Sequence, residues 1–146
     1  MTLVEITRQA ALERLGEELR RPPFNRWVQA RPVEVDTAKR EITIAVPYRP
    51  ELSYDPGRPI FHGGVIATVA DIAGYAVVAV WHGGSTPTIS LQIDYLAPAE
   101  GAELQARAIL RKLGRSVSRA DIEVMTGNRL VALGRGMFST AAKPSA

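Results

Sequence analysis

A single carboxylate stands in the most apolar stretch of this chain. Phe61 to Trp81 reads FHGGVIATVADIAGYAVVAVW, and its one formal charge is Asp71. From Pro59 to Ile93 no other Asp, Glu, Lys or Arg occurs. Burial without a partner raises the pKa of a carboxyl group, so such a residue needs either a catalytic use or a partner, such as an arginine across an interface. The residues alone leave both interpretations open.

The residues beside this stretch supply further parts of an acyl-transfer site. His62-Gly63-Gly64 stands where a helix would begin. Glycines there let a ligand approach free N–H groups at the positive end of the helix dipole, which stabilise a developing oxyanion. Thr88 adds a hydroxyl group at the start of the next predicted strand. Each signal is weak alone, and together they favour acyl-group chemistry.

The spacing of these residues constrains how they can act together. Asp71 follows Gly63 by eight residues, which is about 12 Å along one helix. A base and an oxyanion donor must both lie within about 3 Å of the reacting group. Two antiparallel helices about a two-fold axis meet this requirement, because each Asp71 then faces the partner's glycine turn. The spacing therefore predicts a homodimer.

Hydrophobic periodicity indicates the elements that position these residues. Gly63 to Trp81 is apolar on every side, which predicts a buried central helix. A membrane span is the alternative by length, and Asp71, Thr68 and the glycines disfavour it. After this helix the spacing at which apolar residues recur falls from 3.6 to 2 residues. This change predicts four strands, over residues 88–95, 102–111, 116–125 and 130–140.

The first 61 residues show a different organisation. An amphipathic pattern over Thr2 to Arg21 predicts an N-terminal helix within residues 1–23, ended by Pro22-Pro23. Two strands are predicted over Trp27–Val35 and Arg40–Val46. Pro47 to Phe61 is rich in proline and predicts a long loop, which favours a functional role because loops of this length are commonly functional.

Composition limits the class of protein. The 146 residues fit a single domain, with 46% hydrophobic residues and a net charge of +3. The absence of cysteine excludes disulfides and thiolate chemistry, and no spacing of His and carboxylates indicates a metal site. The N-terminus lacks a long apolar run, so we expect a cytoplasmic protein. The mildly basic charge fits a small anionic ligand as well as nucleic acid, and we expect neither nucleic acid nor membrane as a partner. Residues 141–146 are expected to form a flexible tail.

One long helix followed by sequential strands predicts an α+β fold. The sequence also resembles a known family. His62-Gly63-Gly64, six residues and then Asp71 are similar to the motif of the hot-dog-fold acyl-CoA thioesterases of the PaaI-like (phenylacetate-degradation) family. TISLQIDYLAPA, from Thr88 to Ala99, and the Gly114-Arg115 hairpin extend the resemblance. It covers about residues 25–140 and leaves the N-terminal helix outside its firm part.

The resemblance implies a fold and an activity. The fold is a hot-dog: an antiparallel sheet wrapped around one long central helix, in homodimers that often pair into tetramers. The activity is hydrolysis of an acyl-CoA thioester without a cofactor. Asp71 matches the general base or nucleophile, and Gly63 the residue whose N–H polarises the thioester carbonyl. His62 matches a residue that orients the thioester or the water, and Thr88 one that assists the water.

Substrate contacts are predicted around these residues. Gly64 completes the glycine turn, and Tyr75 lies one turn beyond Asp71, where it lines the acyl pocket or belongs to the core. Coenzyme A carries phosphates, so Arg58 and Arg115 are expected near the mouth of the pocket, with plain surface charge as the alternative.

Pro56 departs from the family pattern. The family often has Asn or Gln six residues before the histidine, and proline offers no donor there. This puts the activity in question, so two alternatives stay open: a non-catalytic acyl-CoA binder or sensor, and a hot-dog hydratase or dehydratase. Asp71 argues against the hydratase, whose signature uses a histidine in a different setting.

Overall fold

The fold is a curved antiparallel sheet packed on one long helix, and the computed structural model describes residues 5–144 of it. The helices are α1 (Arg8–Arg20), α2 (Pro23–Val28) and α3 (Gly63–His82). The strands are β1 (Arg31–Asp36), β2 (Glu41–Pro47), β3 (Ser53–Asp55), β4 (Arg58–Phe61), β5 (Thr88–Tyr95), β6 (Glu103–Lys112), β7 (Val117–Thr126) and β8 (Arg129–Ser139). Six of them form a sheet in the order β1-β2-β6-β7-β8-β5, and β3 pairs with β4 in a separate hairpin. This confirms the predicted α+β fold.

The central helix α3 begins and ends as its sequence predicts. His62 is the N-cap residue, and its Nδ1 accepts a hydrogen bond from the Gly64 N–H. Gly83 ends the helix in the left-handed conformation with a φ of 82°, which glycine adopts without strain. Gly74 lets α3 approach the sheet, because a Cβ atom there would lie 2.6 Å from the ring of Phe138.

Most of the surface of α3 is buried, but one stripe is not. Gly64, Thr68, Asp71 and Tyr75 recur at helical spacing and are exposed or half-buried. One protomer therefore leaves this stripe of α3 uncovered. By length and composition α3 could span a membrane, yet 61% of its most apolar part is buried inside the fold.

Helix α1 packs against α3 and β1. It begins at Arg8 instead of Thr2, because the Thr7 hydroxyl caps it by accepting a hydrogen bond from the Ala10 N–H at 3.1 Å. Residues 2–4 of the predicted helix lie outside the described residues. Arg14 Nη1 donates to the Val80 carbonyl oxygen at 2.7 Å, which holds α1 against the far end of α3.

The predicted strand over Trp27–Val35 is wrong in its first half. Trp27 belongs to α2, which starts with Pro23 in its first turn, a position where the missing N–H costs nothing. The Asn25 side chain donates to the Glu18 carbonyl oxygen at 3.0 Å. Gln29 ends α2 with a φ of 64°, so β1 cannot begin before Arg31.

The segment from Pro47 to Phe61 is not the structureless loop that its prolines predict. It contains a 3-10 turn at Pro50–Leu52 and the β3–β4 hairpin. The Asp55 carboxylate accepts the Gly57 N–H at 2.7 Å, and this bond closes the hairpin turn. The His62 N–H donates to the Leu52 carbonyl oxygen at 2.9 Å, so the segment is fixed to the start of α3.

The strands after α3 agree with the predicted periodicity. The observed bounds of β5 are those predicted, and β6, β7 and β8 begin and end within one residue of the prediction. Beyond β8, the His82 Nε2 lies 2.9 Å from the Ala142 carbonyl oxygen. Residues 145 and 146 of the predicted flexible tail lie outside the described residues.

Candidate active site

Strand β5 brings Thr88 to Asp71. The Thr88 hydroxyl donates a hydrogen bond to Asp71 Oδ1 at 2.7 Å. A β-bulge makes this contact possible: Thr88 pairs with Phe138 and Ser90 with Met137, so Ile89 is an extra residue in the ladder. Strict alternation would put Thr88 and Tyr95 on opposite faces of the sheet. With the bulge, both side chains reach α3.

Asp71 is half-buried and not fully enclosed by apolar side chains. Within residues 5–144 its carboxylate forms no salt bridge, and its side-chain hydrogen-bond partner is Thr88. The alternative in which an arginine across an interface pairs with this carboxylate involves a second protomer and stays a prediction. We call Asp71 and Thr88 the carboxylate half-site.

The first turn of α3 forms the second group of predicted site residues. The His62 carbonyl oxygen accepts from the N–H groups of Val65 at 2.9 Å and Ile66 at 3.2 Å. The Gly64 N–H is occupied, because it donates to His62 Nδ1 at 2.8 Å. In the described part of the chain no acceptor is bound to the Gly63 N–H, so this group is the donor available to a ligand.

Tyr95 completes this turn and was not identified from the sequence. Its hydroxyl group donates to the Gly63 carbonyl oxygen at 2.8 Å. Two of its ring carbons lie 3.4 and 3.6 Å from the position that a Gly63 Cβ would occupy, and its hydroxyl oxygen lies 3.7 Å from it. The sequence showed an aromatic residue at the end of a predicted strand. Because the bulge in β5 shifts the alternation, the sequence did not show that this residue faces α3. We call His62, Gly63, Gly64 and Tyr95 the glycine half-site.

One protomer does not bring its two half-sites together. Eight residues of continuous helix separate Gly63 from Asp71, which is about 12 Å along the axis. Strand β5 repeats this separation, because Thr88 at its start belongs to one half-site and Tyr95 at its end belongs to the other.

The predicted substrate contacts have different surroundings. Tyr75 is half-buried one turn beyond Asp71, and its hydroxyl lies 3.4 Å from the Ser85 Oγ, a residue that the sequence did not single out. Arg58 is exposed and forms an ion pair with Glu100 at 2.6 Å. The hydrogen bond with Glu100 raises the pKa of Arg58 above its ordinary value. Arg115 and Pro56 are both exposed, Pro56 at the turn of the β3–β4 hairpin.

Ion pairs cover the sheet face that points away from α3. Arg107 lies between Glu41 at 3.1 Å and Glu123 at 2.8 Å. Asp121 accepts from Arg111 and Arg135, each at 2.8 Å. Carboxylates thus neutralise part of the basic residues of this face. Within residues 5–144, no three His, Asp or Glu side chains are grouped closely enough to hold a metal ion.

The sequence around both half-sites matches a known family. Residues 59–133, just over half of the chain, match the model of the thioesterase superfamily. They include His62, Gly63, Asp71, Thr88 and Tyr95. The chain therefore belongs to the thioesterase superfamily, which confirms the predicted hot-dog fold and the predicted enzyme class, a thioester hydrolase.

Individual relatives agree with this assignment. The chain is 29% identical over 146 residues to the medium/long-chain acyl-CoA thioesterase YigI of Escherichia coli K12, covering 86% of this chain and 90% of that protein. A solved structure from the thioesterase superfamily has 32% identity and a TM-score of 0.82, over 88% of this chain and 97% of the other. E. coli PaaI, at 19% identity, shares the fold, with a TM-score of 0.81 over 94% and 97% of the two chains. The resemblance to the PaaI-like family is confirmed.

Proposed function

We propose that the protein hydrolyses an acyl-CoA thioester to the free acid and coenzyme A, at a site shared between two protomers. The observation that supports this is the hydrogen bond from Thr88 to Asp71, on the one stripe of α3 that the protomer leaves open. A carboxylate that is held in place and still accessible can act on water or on the thioester carbon.

The hydrogen bond assigns different tasks to the two oxygens of Asp71. Oδ1 accepts the Thr88 hydroxyl, which restricts rotation of the carboxylate. Among the described residues no donor is bound to Oδ2, so this oxygen is available to accept a proton from water or to attack the carbonyl carbon. Thr88 also offers its oxygen lone pairs to the same water. Both roles of Asp71, general base and nucleophile, fit this geometry.

The glycine half-site supplies the oxyanion donor. The Gly63 N–H points out of the first turn of α3, at the positive end of a 20-residue helix. Negative charge develops on the thioester oxygen as the carbonyl carbon becomes tetrahedral. A fixed N–H group aimed at that oxygen stabilises the transition state by about 3 kcal/mol.

A two-fold pairing of β5 brings the half-sites of two protomers together. β5 pairs with β8 on one side and ends the sheet on the other. Ile89 and Tyr95 on this strand have exposed fractions of 53% and 54%. An exposed apolar edge strand of this kind is suited to pairing with a strand of another chain. Antiparallel pairing with the partner's β5 sets the Thr88 end of one strand beside the Tyr95 end of the other. Each Asp71 then faces a Gly63 of the second protomer. Pairing of such dimers into a tetramer stays a prediction.

Similarity to YigI makes medium- and long-chain acyl-CoA the first substrates to assay. We infer that Tyr75, one turn beyond Asp71, and Ser85, whose Oγ lies 3.4 Å from the Tyr75 hydroxyl, line the acyl pocket. Arg115 remains a candidate for the coenzyme A phosphates, whereas Arg58 would have to share its charge with Glu100. Pro56 lies exposed in a turn closed by Asp55, so we assign it no part in the chemistry.

Complementation between inactive protomers tests the shared site. Asp71→Asn removes the carboxylate, and Gly63→Pro removes the N–H at a position in the first turn that accepts proline. Each variant alone should release little free thiol from acyl-CoA. After unfolding and refolding together, half of the dimers carry one intact site of two, so about 25% of the parent activity should return.

The controls separate the possible failures. Refolding each variant alone gives the background, and Gly63→Ala, which keeps the N–H, should retain most activity. Absence of thiol release by the parent across phenylacetyl-, benzoyl-, short- and long-chain acyl-CoA would favour the non-catalytic binder. Activity of the parent without any recovery in the mixture would contradict the shared site while leaving the hydrolase assignment intact.

A further inference from the structure

We infer that Tyr95 is a positioning residue that holds His62 and the Gly63 peptide through one continuous chain of hydrogen bonds. The inference rests on the proposed function for its catalytic consequence, but its structural consequence can be measured without any turnover. The chain runs from the Tyr95 hydroxyl to the Gly63 carbonyl oxygen, and from the Gly64 N–H to His62 Nδ1.

The first link fixes the orientation of one peptide unit. The Gly63 carbonyl and the Gly64 N–H belong to the same planar amide. The Tyr95 hydroxyl donates to its oxygen at 2.8 Å. A hydrogen bond at the oxygen polarises the amide and makes its N–H a better donor. Glycine on both sides gives this amide more rotational freedom than other residues would, and the Tyr95 bond adds to the helical bonds of α3 in restricting it.

The second link determines which nitrogen of His62 carries the proton. The Gly64 N–H donates to Nδ1 at 2.8 Å, so Nδ1 must be an acceptor and carries no hydrogen. The neutral ring therefore has its proton on Nε2. His62 is exposed, so this N–H is free to meet a ligand. Tyr95 thus acts on the imidazole through one intervening amide.

The same amide borders the proposed oxyanion donor. The Gly63 N–H and the Gly63 carbonyl are separated by a single Cα atom, so rotation of the second amide changes the backbone at the first helical residue. The Tyr95 ring also lies against the Gly63 Cα, 3.4 Å from the site of an absent Cβ. Tyr95 therefore controls the direction of two N–H groups, those of Gly63 and of His62 Nε2.

Tyr95→Phe tests the chain, because it removes the hydroxyl group and keeps the ring. Tyr54→Phe is the matched control, since Tyr54 is 70% exposed and its hydroxyl forms no hydrogen bond among the described residues. We would measure kcat and KM with an acyl-CoA substrate, the melting temperature, and the ¹⁵N chemical shifts of the imidazole rings. His82 is the second histidine of the chain and serves as the internal reference.

For Tyr95→Phe we expect kcat to fall about 5- to 10-fold, the effect of one lost hydrogen bond, with KM changed by less than about 2-fold. The ¹⁵N shifts of His62 should move from the Nε2–H form toward a mixture of tautomers, while those of His82 stay constant. Tyr54→Phe should leave all of these quantities unchanged.

The result that would overturn the inference is a Tyr95→Phe protein whose His62 shifts equal those of the parent, whatever its activity. If that protein also had a lower melting temperature, Tyr95 would be a packing residue only. A parent that hydrolyses no acyl-CoA but shows the tautomer change would support the chain and contradict the proposed function, so the two failures are distinguishable.

Discussion

Replacement of Asp71 by Asn separates a catalytic carboxylate from a structural one. Asn has nearly the same shape and keeps a side-chain oxygen that can accept the Thr88 hydroxyl now found at 2.7 Å from Oδ1. It cannot take a proton from water or attack a carbonyl carbon as a carboxylate does. The substitution therefore removes the chemistry and retains the hydrogen bond that the side chain makes within residues 5–144.

The expected change in stability is small. No ion pair is lost, because within residues 5–144 Asp71 has none, and the half-buried position gives the new amide access to water. We expect the free energy of unfolding to change by less than about 1 kcal/mol, or about 3 °C in melting temperature. A carboxylate compensating a buried arginine would behave differently, because breaking such a pair costs about 3–5 kcal/mol.

The expected change in activity is large. Loss of a general base lowers kcat by about 100-fold or more, and loss of a nucleophile by at least as much. The assay is release of free thiol from acyl-CoA, run on the same preparation as the melting curve. Asp94→Asn is the matched control, since Asp94 is an exposed aspartate on the same strand as Thr88. It should leave both quantities near those of the parent.

The outcome that refutes the reasoning is specific. Turnover within about 3-fold of the parent would show that the carboxylate performs no proton transfer. A fall of about 10 °C in melting temperature with near-normal turnover would establish a structural role instead. Binding of acyl-CoA should persist in Asp71→Asn, because Asn has nearly the same shape and can still form hydrogen bonds.

Two further predictions concern assembly and pH. Ile89→Lys should convert the proposed dimer to an inactive, folded monomer, because Ile89 is 53% exposed on the edge strand β5 and a lysine there would oppose strand pairing. Light scattering and circular dichroism check this, with Leu133→Lys (39% exposed) as the control. Hydrogen bonds from Arg135 and Arg111 lower the pKa of Asp121 in the folded chain. The ionised Asp121 therefore stabilises the fold above the unfolded-state pKa of about 3.9. This stabilisation is lost as the pH falls through the lower folded-state pKa. Asp121→Asn should therefore reduce urea stability at pH 7 by about 1 kcal/mol or less, and by a smaller amount near about pH 3; equal effects at both pH values would contradict the direction of the shift.

Elements with a long, regular pattern were predictable from the sequence. The length and buried surface of α3 follow from 20 residues without a charge other than Asp71, and β6 to β8 follow from strict alternation of apolar and polar residues. The wrong predictions concern short segments whose structure depends on a single residue or a single hydrogen bond. A proline in the first turn makes a helix of residues 23–28, and the Asp55 side chain closes a hairpin where four prolines in the segment indicate a loop.

The candidate site was predictable in its residue types but not in its geometry. His62, Gly63, Asp71 and Thr88 could be selected because they place imidazole, N–H, carboxylate and hydroxyl groups within or beside one otherwise apolar helix. The contact between Thr88 and Asp71 needed the bulge at Ile89, which periodicity cannot reveal. Tyr95 was missed for the same reason, since the alternation of β5 placed it on the face opposite Thr88.

The β-bulge at Ile89 bears on the proposed dependence of activity on dimer formation. Seven peptide steps separate Thr88 from Tyr95, and a regular strand would direct these two side chains to opposite faces. The extra residue lets one strand bind α3 at Asp71 and again at Gly63, so that each half-site is held by β5 within its own protomer. A separated protomer would therefore keep both half-sites formed and still lack activity, because they lie too far apart to act on one thioester. Inactivity of a folded monomer is thus expected from distance alone, without any distortion of the proposed catalytic residues.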